Sequence, residues 1–313
     1  MGVVKNLVVV TWNGGDEVPY SHVHFDLERN FDLLLFNNTG KSGEIERHNG
    51  VMYDHYITEK TENKGQIFFH LCQYLSKNNL EYNYVGVIDD DIIFKVSDFN
   101  YMLHIANIHG LDVFQPSIAK DSYFSHRRFV HRPGQMVTNI DWVEIMAPFY
   151  RQNLLMACEP YFNKTISGQG VDCFLMPVLQ VLHQQTNTAI VHAVQIKHAR
   201  PIRSHQRLYQ NGLNNEQEIE IIRQASLDLV EMSENKNKLK NSITSINWSK
   251  FITNDNKMIG NEDKDDNDLG FTFGDEKTEE YQTLIEAQMK ASQMGKSSII
   301  DMNDDEMVDV DDI

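Results

Sequence analysis

The chain has 313 residues, with 28 Lys and Arg against 45 Asp and Glu, a formal charge of −17 and three cysteines. That length can bury a sizeable core, and 41% AVILMFWYC with 10% aromatic residues suits an enzyme-sized globular domain better than a fully disordered chain. The acidic balance argues against nucleic-acid backbone binding as a global driving force. Cys72, Cys158 and Cys173 contain no CxxC pair, which argues against a disulfide scaffold or structural zinc and favours a reducing, cytoplasmic setting.

Val3–Thr11 is an unbroken β-rich run ending at Asn13-Gly14-Gly15, and without a basic n-region it reads as a first strand rather than a signal peptide. Phe31–Phe36 is a second apolar run. Between Gln66 and Leu75 the residues Ile67, Phe68, Leu71, Cys72 and Leu75 follow helical spacing. Tyr84–Ile88 is a short buried strand running into Asp89-Asp90-Asp91. Ser97 is read as the cap of a helix through Ala106, ended by Gly110, with Leu111–Gln115 as the next strand. Such alternation predicts a mixed, mostly parallel sheet flanked by helices, a Rossmann-like α/β fold with its sites at the carboxyl ends of the strands.

The second half continues the pattern. Trp142–Met146 alternates like a strand, and Pro148 is placed to open a helix through Leu154 and Leu155. Ser167-Gly168-Gln169-Gly170 reads as a loop, with Asp172 at the start of the following helix. Thr188–Lys197 is a strand that delivers His198 at its end. Asn215-Glu216-Gln217-Glu218 resembles a capping box for a helix to about Glu231. The expected organisation is a catalytic-type domain over 1–205, a helical appendage over 206–260 and an acidic tail over 261–313.

That tail carries 17 acidic and 4 basic residues, so −13 of the −17 resides there and residues 1–260 are near balance. Its blocks of like charge favour disorder and the docking of a basic protein. Asp263, Asp265 and Asn267 mimic the start of a calcium loop, but Asp268 and Gly274 occupy the positions of its invariant glycine and bidentate glutamate. No apolar run approaches the roughly 20 residues of a membrane span.

Three consecutive aspartates after a buried strand repel one another unless a cation compensates them. Hard oxygen ligands suit Mn²⁺ or Mg²⁺, and Asp89 and Asp91, two apart, project to one side of an extended backbone. A solvated acidic turn is the competing reading. His198 ends another strand and would complete an O,O,N shell if the two ends converge, with His192 on its face; a purely structural histidine is the alternative. Gly168 and Gly170 allow close backbone approach to a ligand. Asp172 is a candidate base, or a partner of the helix dipole, and Glu144 is a second catalytic carboxylate or an exposed strand residue. Arg127, Arg128 and Arg132 fall in six residues that could meet a diphosphate or remain solvated. Dinucleotide, P-loop and nucleophile-elbow motifs are absent.

Assembled, these residues resemble the nucleotide-diphospho-sugar transferases of the GT-A fold, and within them the domain-of-unknown-function family numbered seven hundred and seven. The stretches that carry the resemblance are Val85–Ile92, Phe114-Gln115-Pro116-Ser117, Trp142-Val143-Glu144-Ile145-Met146-Ala147-Pro148, Gly168-Gln169-Gly170-Val171-Asp172 and the strand ending in His198. The resemblance implies a metal-dependent DxD site with Asp89, Asp91 and His198 as ligands and Asp172 on the acceptor side; Asp89, Asp90, Gly168 and Gly170 are the residues expected to contact the donor. Gln169 and His192 depart from the family pattern. Two rivals remain: a haloacid-dehalogenase-type phosphatase with Asp89 as nucleophile and Asp91 as acid/base, and a non-catalytic nucleotide-sugar or partner-binding module.

Overall fold

A computed structural model describes residues 5–14, 20–41, 53–200 and 208–233. The first apolar run forms β1 (Leu7–Trp12), which pairs in parallel with β3 (Asp32–Asn37) on one side and β5 (Tyr84–Ile88) on the other. A strand paired on both edges and covered on both faces must be apolar throughout, and Leu7, Val8 and Val9 are fully buried. The remaining strands are β2 (Val23–His24), β4 (His55–Thr58), β6 (Ile92–Lys95), β7 (Val113–Ile118), β8 (Val137–Asn139), β9 (Phe149–Arg151) and β10 (Thr188–His198). Their spatial order is β2-β6-β10-β7-β9-β5-β1-β3-β4, with β8 pairing β10. The pairs β1–β3, β1–β5, β3–β4, β7–β10 and β2–β6 are parallel; β9 runs antiparallel between β5 and β7. The expected mixed, mostly parallel sheet flanked by helices is therefore present.

Among the described residues five α-helices accompany it: α1 (Lys64–Lys77), α2 (Val96–Ile108), α3 (Gln152–Phe162), α4 (Met176–His183) and α5 (Asn215–Met232). The residues at helical spacing on α1, Ile67, Phe68, Leu71, Cys72 and Leu75, are all buried, with Phe68 stacked on Phe162 of α3 at 5.0 Å. Another cluster of rings packs Phe94 on Phe99 at 3.9 Å and Phe114 on Phe149 at 5.2 Å. Gly86 of β5 lets the Phe149 ring approach, because a Cβ there would lie 2.3 Å from the ring. Gly86→Ala must displace a fully buried phenylalanine, at an expected cost of about 1–3 kcal/mol in a urea titration; an unchanged midpoint would contradict this packing.

Several sequence readings shift. Trp142–Met146 is not a strand: Trp142, Val143, Glu144 and Met146 are all buried, so the expected alternation of inside and outside does not occur. Irregular backbone there is held by Glu144 N donating to Gln115 Oε1 at 2.5 Å and by Met146 O accepting from Asp89 N at 3.1 Å. The strand follows as β9, and the helix opens at Gln152 instead of Pro148. Ser97 lies inside α2 and binds Asp26 through both its amide and hydroxyl, instead of capping the helix. The α5 capping box sits one residue early, between Asn214 and Gln217. Ile222 of α5 is fully buried in the core beside Val171 and Leu175. Among the described residues no helix is long and apolar enough to cross a membrane. The acidic segment 261–313 and its calcium-loop mimic lie outside the described residues.

Candidate functional site

β5 ends at Ile88, and the three aspartates that follow form the turn into β6. Each has a different fixed partner. Lys64, buried at the start of α1, donates to Asp89 Oδ1. Arg200 donates through its terminal nitrogen to Asp90 and through Nε to Asp91 Oδ2 at 3.0 Å. The Asn13 amide, just beyond β1, also hydrogen-bonds Asp90.

The last strand arrives opposite. Lys197 and His198 of β10 pair antiparallel with β6, and Ala199 N donates to Asp91 O at 2.9 Å. His198 Nε2 lies 3.2 Å from Asp91 Oδ2, while Nδ1 lies 3.1 Å from the Tyr123 carbonyl. A carbonyl only accepts, so Nδ1 carries its hydrogen there. Burial disfavours the imidazolium, but the Asp91 hydrogen bond and charge outweigh it and hold the His198 pKa above its usual value. Asp91 moves the other way: burial opposes ionisation, and His198 and Arg200 overcome that penalty. Its second oxygen, Oδ1, is buried without a partner.

His192 does not share this surrounding. A bulge between Val191 and Gln195 breaks the period-2 register of β10 against β7. His192 consequently turns to the Arg132 amide, 3.2 Å from Nδ1, and to the His131 ring. Burial, with Arg132 and His131 nearby, lowers its pKa to about 4.

Two buried carboxylates face the same cluster. Burial raises Glu144 to about 7; Ser125 hydrogen-bonds it and His198 favours its ionisation, whereas Asp172 and Asp89 oppose it. Glu144 Oε2 has no partner. Asp172 lies in a π-helical turn, Val171–Leu175, before α4. Burial raises it to about 6, against hydrogen bonds from Cys173 and the Ile145 amide. Asp172 is thus tied to the segment that carries Glu144. Asp89 also rises to about 6, through burial and through Asp91 and Asp90, with Lys64 in opposition.

Gly168 and Gly170 have φ of 76° and 85°, and their tight approaches are to the chain itself. A Cβ on Gly168 would lie 2.9 Å from Ile145 and 3.0 Å from Gly65 N; one on Gly170 would lie 3.3 Å from Ile222. Arg128 pairs with Asp141 and lies over the Trp142 ring, so its charge is engaged.

The structure therefore brings together Asp89, Asp90, Asp91, Glu144, Asp172 and His198, separated by up to 109 positions of chain, at one edge of the sheet. It does not gather Asp89, Asp91 and His198 into the expected O,O,N shell. Among the described residues no group of three or more His, Cys, Asp or Glu is arranged to hold a metal ion. Asp89 and Asp91 turn to separate protein cations instead, so the residues as placed do not fit a resident divalent ion. Lys64, Arg200 and Ser125 carry no motif in the sequence, and Glu218, read there as part of a capping box, is instead a buried carboxylate of α5. Arg200 was legible in principle, two positions beyond His198 and so on its side of an extended strand. Lys64 had a weaker signal: a cation in the first helical turn opposes the helix dipole.

No family model matches the chain, and no curated protein matches it. Among solved structures, S. aureus TarS 1–349 in complex with UDP-GlcNAc is similar at 10% identity, covering 79% of this chain and 72% of that one, with a TM-score of 0.48. The same TarS fragment in complex with UDP gives 8% identity over the same shares and the same TM-score. A197 from STIV gives 11% identity over 67% of this chain and 92% of that one, with a TM-score of 0.35.

Proposed function

We propose that the chain is a glycosyltransferase-like protein that takes a nucleotide-diphosphate sugar and transfers the sugar to a hydroxyl acceptor. The observation that carries this reading is the placement of Glu144: a buried carboxyl with an unpartnered oxygen, titrating near neutrality, beside an acid and histidine cluster at the carboxyl end of β5. Glu144 Oε2 takes the acceptor's hydroxyl proton as the acceptor oxygen bonds to the anomeric carbon. The bond from that carbon to the diphosphate oxygen breaks, and the nucleoside diphosphate leaves with the electron pair. Asp172, whose carboxyl is occupied by Cys173 and Ile145, positions the Glu144 segment and supplies a like charge that keeps Glu144 basic.

A panel of UDP- and GDP-sugars tests the reading, with binding followed by thermal shift and donor turnover by nucleotide release. Binding of one donor class, with turnover lost in Glu144→Gln, is the expected result. Binding without hydrolysis or transfer across the panel would point to a binding module. Phosphate release from a generic phosphoester, abolished by Asp89→Asn, would point to the phosphatase. Against the phosphatase, Asp89 Oδ1 is engaged by Lys64 and Asp91 Oδ2 by His198 and Arg200, and the remaining Asp91 oxygen is buried.

A further inference from the structure

Three adjacent carboxylates normally recruit a divalent ion because nothing else nearby cancels their repulsion. Here two protein cations already do so. Lys64 is almost entirely buried, and its ammonium ends on Asp89. Arg200 spans the other two, one nitrogen on Asp90 and Nε on Asp91 Oδ2. A guanidinium that bridges two carboxylates fixes their separation and orients both, in a way a single lysine cannot. With two fixed cations set against three carboxylates, the formal charge presented to an incoming ion falls from −3 to −1. Both cations are placed by secondary structure. Lys64 sits at the N-terminus of α1, where Gly65 N donates to Ile166 O at 3.0 Å, and Arg200 lies two residues past the end of β10.

We infer that Lys64 and Arg200 are the resident cations of this centre, so that its aspartates are compensated without recruiting a divalent ion. This rests on the reading of the cluster as a nucleotide-diphosphate site.

The test uses the whole 313-residue chain and manganese chloride alone, followed by thermal denaturation with Mn²⁺ or EDTA. Because the acidic tail can bind Mn²⁺ loosely, Asp91→Asn serves as the site control. The wild type is expected to show less than about 1 °C difference between the two conditions, or a larger one that persists in Asp91→Asn and so arises elsewhere. Arg200→Met is expected to melt lower, and to recover about 3 °C or more with Mn²⁺ because two carboxylates have lost their cation. A Mn²⁺ stabilisation of the wild type of about 3 °C or more that disappears in Asp91→Asn would overturn the inference. Should Arg200→Met not fold, the wild-type and Asp91→Asn comparison decides alone. A separate arm measures UDP and GDP binding in EDTA. Nucleotide binding that requires Mn²⁺ also overturns the inference, whereas no nucleotide binding in either condition overturns the functional reading and leaves the metal result standing.

Discussion

Glu218→Ala is expected to lower the stability of the protein by about 3–5 kcal/mol. Glu218 is fully buried, yet it is charged, because its carboxylate accepts from the Thr165 hydroxyl, the Ile166 and Ser167 amides and the Asn211 side chain at 2.7–2.9 Å. Burial alone would push its pKa upward, but those donors overcome the penalty and hold it below the usual glutamate value. Truncation leaves two backbone N–H groups and a hydroxyl without their acceptor in a buried setting, where each orphan is costly. The consequence extends to the site. The same loop receives Gly65 of α1 and leads through Gly168 and Gly170 to Asp172, so Glu218 fixes the segment between Lys64 and Asp172. Glu218→Gln keeps the shape but sets an amide N–H₂ against backbone donors, and should fall between alanine and wild type. Equilibrium urea denaturation measures both; a cost below about 1 kcal/mol for alanine would show that water replaces the carboxylate freely.

What the sequence disclosed, and what it concealed, follows from how far each interaction reaches. Tyr84–Ile88 is legible residue for residue because a strand covered on both faces needs an unbroken apolar run, and the acids directly after it mark its carboxyl end. The helical face of α1 is legible for the same local reason. Trp142–Met146 misleads because Glu144 among apolar residues imitates alternation; the polar residue is in fact buried, and only Gln115, 29 positions away, explains how its backbone is satisfied. His192 misleads because a bulge cannot be seen in a parity count. The acids of the cluster were named because three adjacent aspartates form a visible pattern. Their partners were not, since Lys64 and Arg200 lie 25 and 109 positions from the carboxylates they meet. Charge compensation across such distances leaves no periodic trace. It is read from sequence as a missing cation, which a metal satisfies as readily as a lysine does.

Glu144→Gln is expected to reduce sugar transfer by about 10²–10⁴-fold, the range spanned by a general base. The amide keeps the size of the side chain and its Ser125 contact but cannot accept the acceptor's proton. For the wild type, activity should rise with pH through an apparent pKa near 7, where burial places the Glu144 carboxyl, and the variant should lose that rise. The same group acts on stability with a definite sign. Its folded pKa lies above the ordinary glutamate value of 4.5, so between about 4.5 and 7 the folded state binds more protons than the unfolded one and stability falls as pH increases. Below that window both states are protonated and Glu144 has no effect; above it the full penalty of a buried charge is present, up to about 3 kcal/mol. Asp172, raised to about 6, adds a penalty of the same sign beginning nearer pH 4. Glu144→Gln therefore combines loss of transfer with a gain in melting temperature at pH 8 and little change at pH 4.5. A merely structural glutamate would lose stability on replacement at both values, so the pairing of lower activity with higher alkaline stability separates a base held in readiness from a residue that holds the fold. Unchanged transfer by the variant would remove Glu144 from the reaction and return the base to Asp172.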